Sequence, residues 1–310
     1  MALSSLHFIL TYRCTASCDH CFVYGSPLHR GAMTPWEIDS AISGAKRLGT
    51  VTSLWIEGGE PFLYVKEMLI IIQFGIEQGF TVGAVTNGYW AKSLDIARRK
   101  LEPLVESGLT SLGISSDRFH TPYVDEGCVD NAIAAAESFN LKVNTIGMSW
   151  ERLVFRGRAA ALLARQTYCS PWQMFDRCSH EALAAPRRVH LDRYGLLHLC
   201  QGLVMEGSAR TEPLHEIVRR YDPLSHPVAG LLYEGGPALL THEAMRMGFV
   251  PSEEGYADGC HLCYSVRKYL RRFYPELLCP DEVYGSIVGM TPCDRPEDHS
   301  TGSAVAPLSV

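Results

Sequence analysis

The chain has 310 residues, 46% of them hydrophobic and 20% charged, which is enough apolar content for one large core or a core with an appendage. A formal net charge of −6 and a pI near 6.1 speak against a general nucleic-acid footprint. The apolar stretch 68–76 is too short to span a bilayer and no export signal opens the chain, so a cytoplasmic protein with no membrane or nucleic-acid partner is expected.

Residues 7–12 read as the first strand. Thr34 then offers an N-cap, with Pro35 at the first helical position and Glu37 three residues after the cap, a capping box that opens a helix. A strand over 53–59 ends in glycines and leads to a helix over 64–79. The alternation continues with a strand at 81–88, a helix at 93–108 carrying an internal Pro103, a strand at 111–117, a helix at 128–140 and a strand at 142–148. A helix over 156–166 and a sixth strand at 187–192 complete the series. Strands alternating with helices imply a parallel sheet flanked by helices. Six units fall short of a closed eight-fold barrel, so the expected class is α/β, a partial (β/α)6 barrel over residues 1–195 with a cysteine-containing C-terminal extension over 196–290. The polar, proline-bearing segment 291–310 reads as a flexible tail. In such folds chemistry gathers at the carboxyl ends of the strands. Here those ends carry residues 13–21, 57–61, 86–88 and 115–120.

Eleven cysteines, an odd number without an export signal, point to metal binding or catalysis rather than a disulfide framework. Cys14, Cys18 and Cys21 form C-x3-C-x2-C directly after the first strand. Three thiolates on one loop suit three irons of a 4Fe–4S cube, leaving the fourth iron open to a small molecule. Zinc is the competing metal, but its sites favour paired C-x2-C spacings, and His20 is awkwardly placed as a fourth ligand beside Cys21. Taken singly, Gly58–Gly59 reads as a strand-to-loop turn, Asn87–Gly88 as a turn dipeptide, Ser115 and Asp117 as local caps, and His120 as a loop histidine with a catalytic role as the alternative. Cys128 opens a helix and reads as structural, and Cys293 as a free thiol in the tail.

Together these motifs resemble the radical S-adenosylmethionine (radical SAM) superfamily. The resemblance rests on the cysteine triad, on Gly58–Gly59–Glu60–Pro61 at the second strand's end, on Thr86–Asn87–Gly88 at the third and on residues 114–117 at the fourth. It covers roughly the first two-thirds of the chain. It implies that Cys14, Cys18 and Cys21 hold a 4Fe–4S cluster whose open iron is chelated by S-adenosylmethionine. It further implies that Gly58, Gly59, Glu60 and Pro61 meet the methionyl amino group through backbone and carboxylate, and that Ser115, Asp117 and Asn87 lie near the ribose and methionyl part. The residue before the last cysteine is usually aromatic in this family and packs on adenine; His20 stands there, a departure that keeps a flat ring. The implied reaction is reductive cleavage of S-adenosylmethionine, with an electron from flavodoxin or ferredoxin, to a 5′-deoxyadenosyl radical that abstracts hydrogen from a substrate.

The C-terminal third supplies a second cysteine set. Cys178 and Cys200 flank the sixth strand, and Cys260 and Cys263 form C-x2-C at a helix start. Four thiols suit zinc or iron–sulfur. The stretch 189–200 resembles the entrance to the SPASM and twitch auxiliary-cluster elements of radical SAM enzymes, which implies one second Fe–S cluster on these four, with Cys169 and Cys279 in reserve. Reduced buried cysteines are the plainer alternative. The expected substrate is a peptide or protein side chain, with a small molecule in cofactor or natural-product biosynthesis as the alternative. The short segment before the first strand suggests no leader-recognition domain at the N-terminus. A non-catalytic metal-binding module is disfavoured by the intact triad and Gly58–Pro61 segment, and a nicotinamide dehydrogenase by the lack of G-x-G-x-x-G after the first strand.

Overall fold

A computed structural model describes residues 3–286; Cys293 and the expected tail at 291–310 lie outside the described residues. The first half is a series of strands and helices: β1 (Ser5–Thr11), α1 (Pro35–Leu48), β2 (Ser53–Gly58), α2 (Val65–Glu77), β3 (Thr81–Thr86), α3 (Leu94–Glu106), β4 (Ser111–Ser115), α4 (Glu126–Ser138) and β5 (Lys142–Ile146). The capping box forms at α1. Thr34 accepts from the Glu37 amide, and the Glu37 carboxylate accepts from the Thr34 amide at 2.6 Å, an arrangement that contributes about 1 kcal/mol. Gly49 closes the same helix in the left-handed conformation. Pro103 sits within α3 near its last turn.

After β5 the chain makes a five-residue helix, α5 (Arg158–Leu162), and a single 3-10 turn at Ala164–Gln166. The single helix expected over 156–166 is therefore broken, because Gly157, at φ 57°, lies outside it and the chain tightens after Leu163. Then come β6 (Arg188–Asp192), β7 (Leu197–Cys200), β8 (Leu203–Val204), α6 (Leu214–Arg220), α7 (Ala229–Arg246) and α8 (Gly259–Leu270).

Among the described residues the eight strands share one sheet in the order β5-β4-β3-β2-β1-β6-β7-β8. The pairs from β5 through β6 are parallel, and the last two are antiparallel. The sixth strand therefore lies beside β1, at the opposite side of the parallel series from β5. It leads into a hairpin that carries the sheet beyond residue 195. Asp192 makes that turn: Oδ1 accepts from the amides of Tyr194 and Leu196, and Oδ2 accepts from the Tyr12 hydroxyl at 2.9 Å. Gly195, at φ 78°, supplies the left-handed position.

Strand alternation gives β2 two different faces. Leu54 is fully buried beside α2, where a Cβ on Gly75 would lie 2.9 Å from it. Trp55 and Glu57 face the other way, and the Trp55 ring covers Gly83. The helices thus cover one face, and the other borders a cavity at the strand ends.

Candidate functional site

A cavity of about 280 Å³ opens where the expected strand ends converge. Its wall includes Cys14, Cys18, Cys21, His20, Gly58, Gly59, Asn87, Ser115, Asp117 and His120. The cysteine loop is held by backbone pairing. The Cys14 amide donates to the Ser26 carbonyl at 3.1 Å and the Cys21 amide to the Cys18 carbonyl at 3.0 Å. Ala16 and Gly25 amides point at the sulfurs of Cys14 and Cys21, at 3.4 and 3.2 Å. A Cβ on Gly25 would come within 3.3 Å of the Cys14 Cβ and 3.6 Å of the Cys21 Sγ, so this glycine keeps the space among the thiols open. Burial is the main cause that pushes the Cys14 thiol up to about 12, and it raises Cys18 as well, with the neighbouring thiols adding to both. Such thiols ionise when a cation binds among them.

Gly58 and Gly59 press β2 against the backbone entering that loop. The Gly59 amide donates to the Thr11 carbonyl at 2.7 Å and the Glu60 amide to the Arg13 carbonyl at 2.8 Å. A Cβ on Gly59 would lie 2.0 Å from the Arg13 oxygen, so only glycine fits. The Glu60 carboxylate departs from the ligand-facing role that the resemblance implies. It is fully buried and accepts from Thr86 Oγ1 at 2.7 Å, the Phe62 amide at 3.0 Å and the Asn87 amide at 2.8 Å. Its hydrogen bonds join the ends of β2 and β3. Pro61 begins a buried 3-10 turn, Pro61–Leu63, and is likewise absent from the cavity wall.

Asn87 is thereby aimed at the cysteine loop, where its Nδ2 donates to Thr15 Oγ1 at 3.0 Å and lies 3.7 Å from the Cys14 sulfur. Opposite it, Asp117 organises a turn. Its carboxylate accepts from the amides of Phe119 and Met148 and from His120 Nδ1 at 2.8 Å. Burial raises the Asp117 carboxyl, but the His120 hydrogen bond and nearby imidazoles outweigh it and hold it at about 2. His20 stacks on Phe119 with ring centroids 4.7 Å apart. Burial, aided by His120, lowers it to about 4, so its ring is neutral near pH 7 and presents a flat, uncharged surface.

Two arginines had no motif to announce them. Arg158 donates to the carbonyls of Cys18 and Gly25, and its own amide donates to the Cys21 carbonyl at 2.9 Å. Arg156 lies over the Phe22 ring and lines both this cavity and a second one. The only available signal was a pair of basic residues around Gly157.

The second cavity collects Cys178, Cys200, Cys260 and Cys263. β7 ends at Cys200. Asp258 caps α8 by accepting from the His261 amide, which fixes the helical turn bearing Cys260 and Cys263. Cys178 follows a segment seated against a kink in α7. There Gly236 has φ 64°, and a Cβ on it would lie 2.2 Å from the Arg177 nitrogen. Arg156 Nη1 is 3.8 Å from the Cys200 sulfur, and the fully buried Arg267 approaches the same sulfur at 4.0 Å. Burial raises Cys260 and Cys263, the latter to about 11. The reserve residues stand elsewhere: Cys169 borders a separate surface hollow, and Cys279 approaches the Glu276 carbonyl.

The family model described as "Radical SAM superfamily" matches residues 8–139. The chain is 28% identical over 133 residues to YydG of Bacillus subtilis (strain 168), named for peptide biosynthesis; the match covers 42% of this chain and 41% of that one. It is 29% identical over 108 residues to the S-adenosylmethionine-dependent nucleotide dehydratase of Selenomonas ruminantium, covering 35% and 37%. The chain thus spans about two-fifths of the length of these curated relatives. Among solved structures it is similar to BtrN in complex with AdoMet and 2-DOIA, at 18% identity and a TM-score of 0.53, covering 76% of this chain and 89% of that one; this likeness concerns the fold. The stretch that matches the radical SAM family model, residues 8–139, contains the cysteine loop, Gly58–Pro61 and Asn87–Asp117.

Proposed function

We propose that the chain is a radical SAM enzyme acting on a peptide or protein side chain, assisted by a second Fe–S cluster in the C-terminal element. The observation that supports it most is the convergence of three thiols with Gly58, Gly59, Asn87, Ser115 and Asp117 on one cavity. The donor set fits the implied group: three sulfurs from one loop, amides directed at two of them, and a glycine leaving room among them. When bound, the cluster and S-adenosylmethionine supply the reductive bond cleavage that yields a hydrogen-abstracting 5′-deoxyadenosyl radical. The protein's part is to position and to exclude water. Gly58 and Gly59 bring backbone close to the ligand, Asn87 and Ser115 offer polar contacts, and His20, backed by Phe119, forms a flat wall.

Cys178, Cys200, Cys260 and Cys263 would hold the second cluster in this reading. Half-buried Arg156 and buried Arg267 supply positive charge beside a set that is negative once deprotonated, which favours a four-thiolate group. Cys200, Cys260 and Cys263 lie in the element over 196–290, which is assigned as twitch-like on the hairpin, the C-x2-C helix and this convergence, and Cys178 joins them from the segment before β6. The peptide class follows the name of the Bacillus relative, and the nucleotide dehydratase keeps a small molecule as the alternative. An outside flavodoxin or ferredoxin is the expected electron donor. Among the described residues no helix is long and apolar enough to cross a membrane.

The test is anaerobic incubation of the reconstituted protein with dithionite and S-adenosylmethionine. Formation of 5′-deoxyadenosine that is lost in Cys18→Ala supports the reading. A reconstituted, iron-loaded protein that forms none contradicts it.

A further inference from the structure

His7 on β1, Glu57 on β2 and His190 on β6 stand on three neighbouring strands and share one face of the sheet. His7 and His190 are direct register partners, and Glu57 pairs with Ile9 two residues further along β1. His7 Nδ1 lies 2.6 Å from Glu57 Oε1, and His190 Nε2 lies 3.5 Å from Glu57 Oε2. The ligand atoms of all three lie within 4.8 Å of one another. Donor atoms around a zinc ion with bonds of about 2.1 Å stand about 3 to 3.5 Å apart, so small side-chain shifts bring this trio to a metal. Both imidazoles are buried, and Glu57 forms part of the wall of the cysteine cavity.

A second observation concerns Gln201. Its side chain is buried, its Nε2 is placed 3.1 Å from His190 Nδ1, and its Oε1 has no hydrogen-bond partner. Amide oxygen and nitrogen positions are interchangeable by a flip. In the flipped amide Oε1 accepts a proton from His190 Nδ1, and the amide nitrogen takes the position that has no partner. The neutral ring then presents a lone pair at Nε2, towards the Glu57 carboxylate. Two facing acceptors repel unless a cation lies between them, and an oriented second nitrogen is the usual support of a metal-ligating histidine.

We propose that His7, Glu57 and His190 form a divalent-metal site of the zinc type, separate from both cysteine sets, with Gln201 fixing the His190 tautomer. Two histidines and one carboxylate leave a coordination position free. Because Glu57 borders the cavity, that position suits an oxygen or nitrogen donor of a molecule bound there.

The experiment uses the anaerobically reconstituted full chain, dialysed against zinc chloride and freed of loose metal. Zinc per chain and the X-ray absorption spectrum at the zinc edge are read for wild type, Glu57→Gln, His190→Ala and Gln201→Ala. The expected result is about one zinc per chain with nitrogen and oxygen neighbours, lost in the first two variants and bound about tenfold more weakly in the third. Zinc with sulfur neighbours only, no retained zinc, or nitrogen-bound zinc undiminished by Glu57→Gln and His190→Ala would each overturn the proposal. Iron content, read on the same samples, reports the cysteine sites independently, so the two readings fail separately.

Discussion

Arg158 donates from Nη1 to the backbone carbonyl of Cys18 at 2.7 Å, tying the start of α5 to the middle of the cysteine loop. Its Nη2 holds the Gly25 carbonyl at 2.9 Å, so one guanidinium braces both ends of the turn that contains Cys21. Hydrogen bonds from a charged donor contribute about 1.5 to 3 kcal/mol each, less here because Arg158 is only half-buried. Arg158→Ala should lower stability by about 2 kcal/mol and make the first cluster labile. The measurement is iron retention after desalting, and unchanged retention would show that the loop holds its shape unaided.

Gly236→Ala separates the two cysteine sets. The new Cβ would collide with the backbone at Arg177, at a φ of 64° that alanine resists. The segment leading to Cys178 must move, so iron at the second site should fall while 5′-deoxyadenosine formation at the first persists. Equal loss at both sites would mean that the kink supports the whole fold.

Glu60 makes stability depend on pH. Burial raises its carboxyl to about 7, against the hydrogen bonds from Asn87, Thr86 and Phe62 that lower it. The folded chain therefore keeps a proton that the unfolded chain releases near 4.5. Its contribution is full below that lower value and is lost as pH rises through about 7. Wild type should lose about 3 kcal/mol relative to Glu60→Gln between pH 4.5 and 7.5, measured by urea unfolding at several pH values. Parallel profiles would show that Glu60 stays ionised throughout.

Cys169→Ser and Cys279→Ser should leave iron content unchanged, since neither residue reaches the second cavity. A Cys260→Ser/Cys263→Ser double variant should lose about four irons. Iron loss on replacing Cys279 instead would redraw the ligand set.

Local signals are legible in the sequence. Thr34, Pro35 and Glu37 announced their helix because a capping box depends only on neighbours. The strand-end clusters at Cys14, Gly58, Asn87 and Asp117 announced one cavity because parallel strands place their carboxyl ends together. What stayed hidden depended on distant pairing. β6 lies beside β1 although it follows β5 in the chain, and no pattern within residues 187–192 selects that neighbour. The Glu60 carboxylate turned inward because Thr86 and Asn87, more than twenty residues away, supply its donors. Arg158 carried no signal beyond its place in a basic pair around Gly157, since its partners are main-chain carbonyls that leave no trace in side-chain spacing.

An anaerobic iron and sulfide count, on wild type and on a variant with Cys14, Cys18 and Cys21 replaced by alanine, distinguishes a chain with one iron–sulfur cluster from a chain with two. If three cysteines hold one cluster and four others a second, wild type holds about eight irons and the variant about four. Iron lost completely from the variant would reduce the protein to one cluster, and no iron in reconstituted wild type would contradict the radical SAM reading.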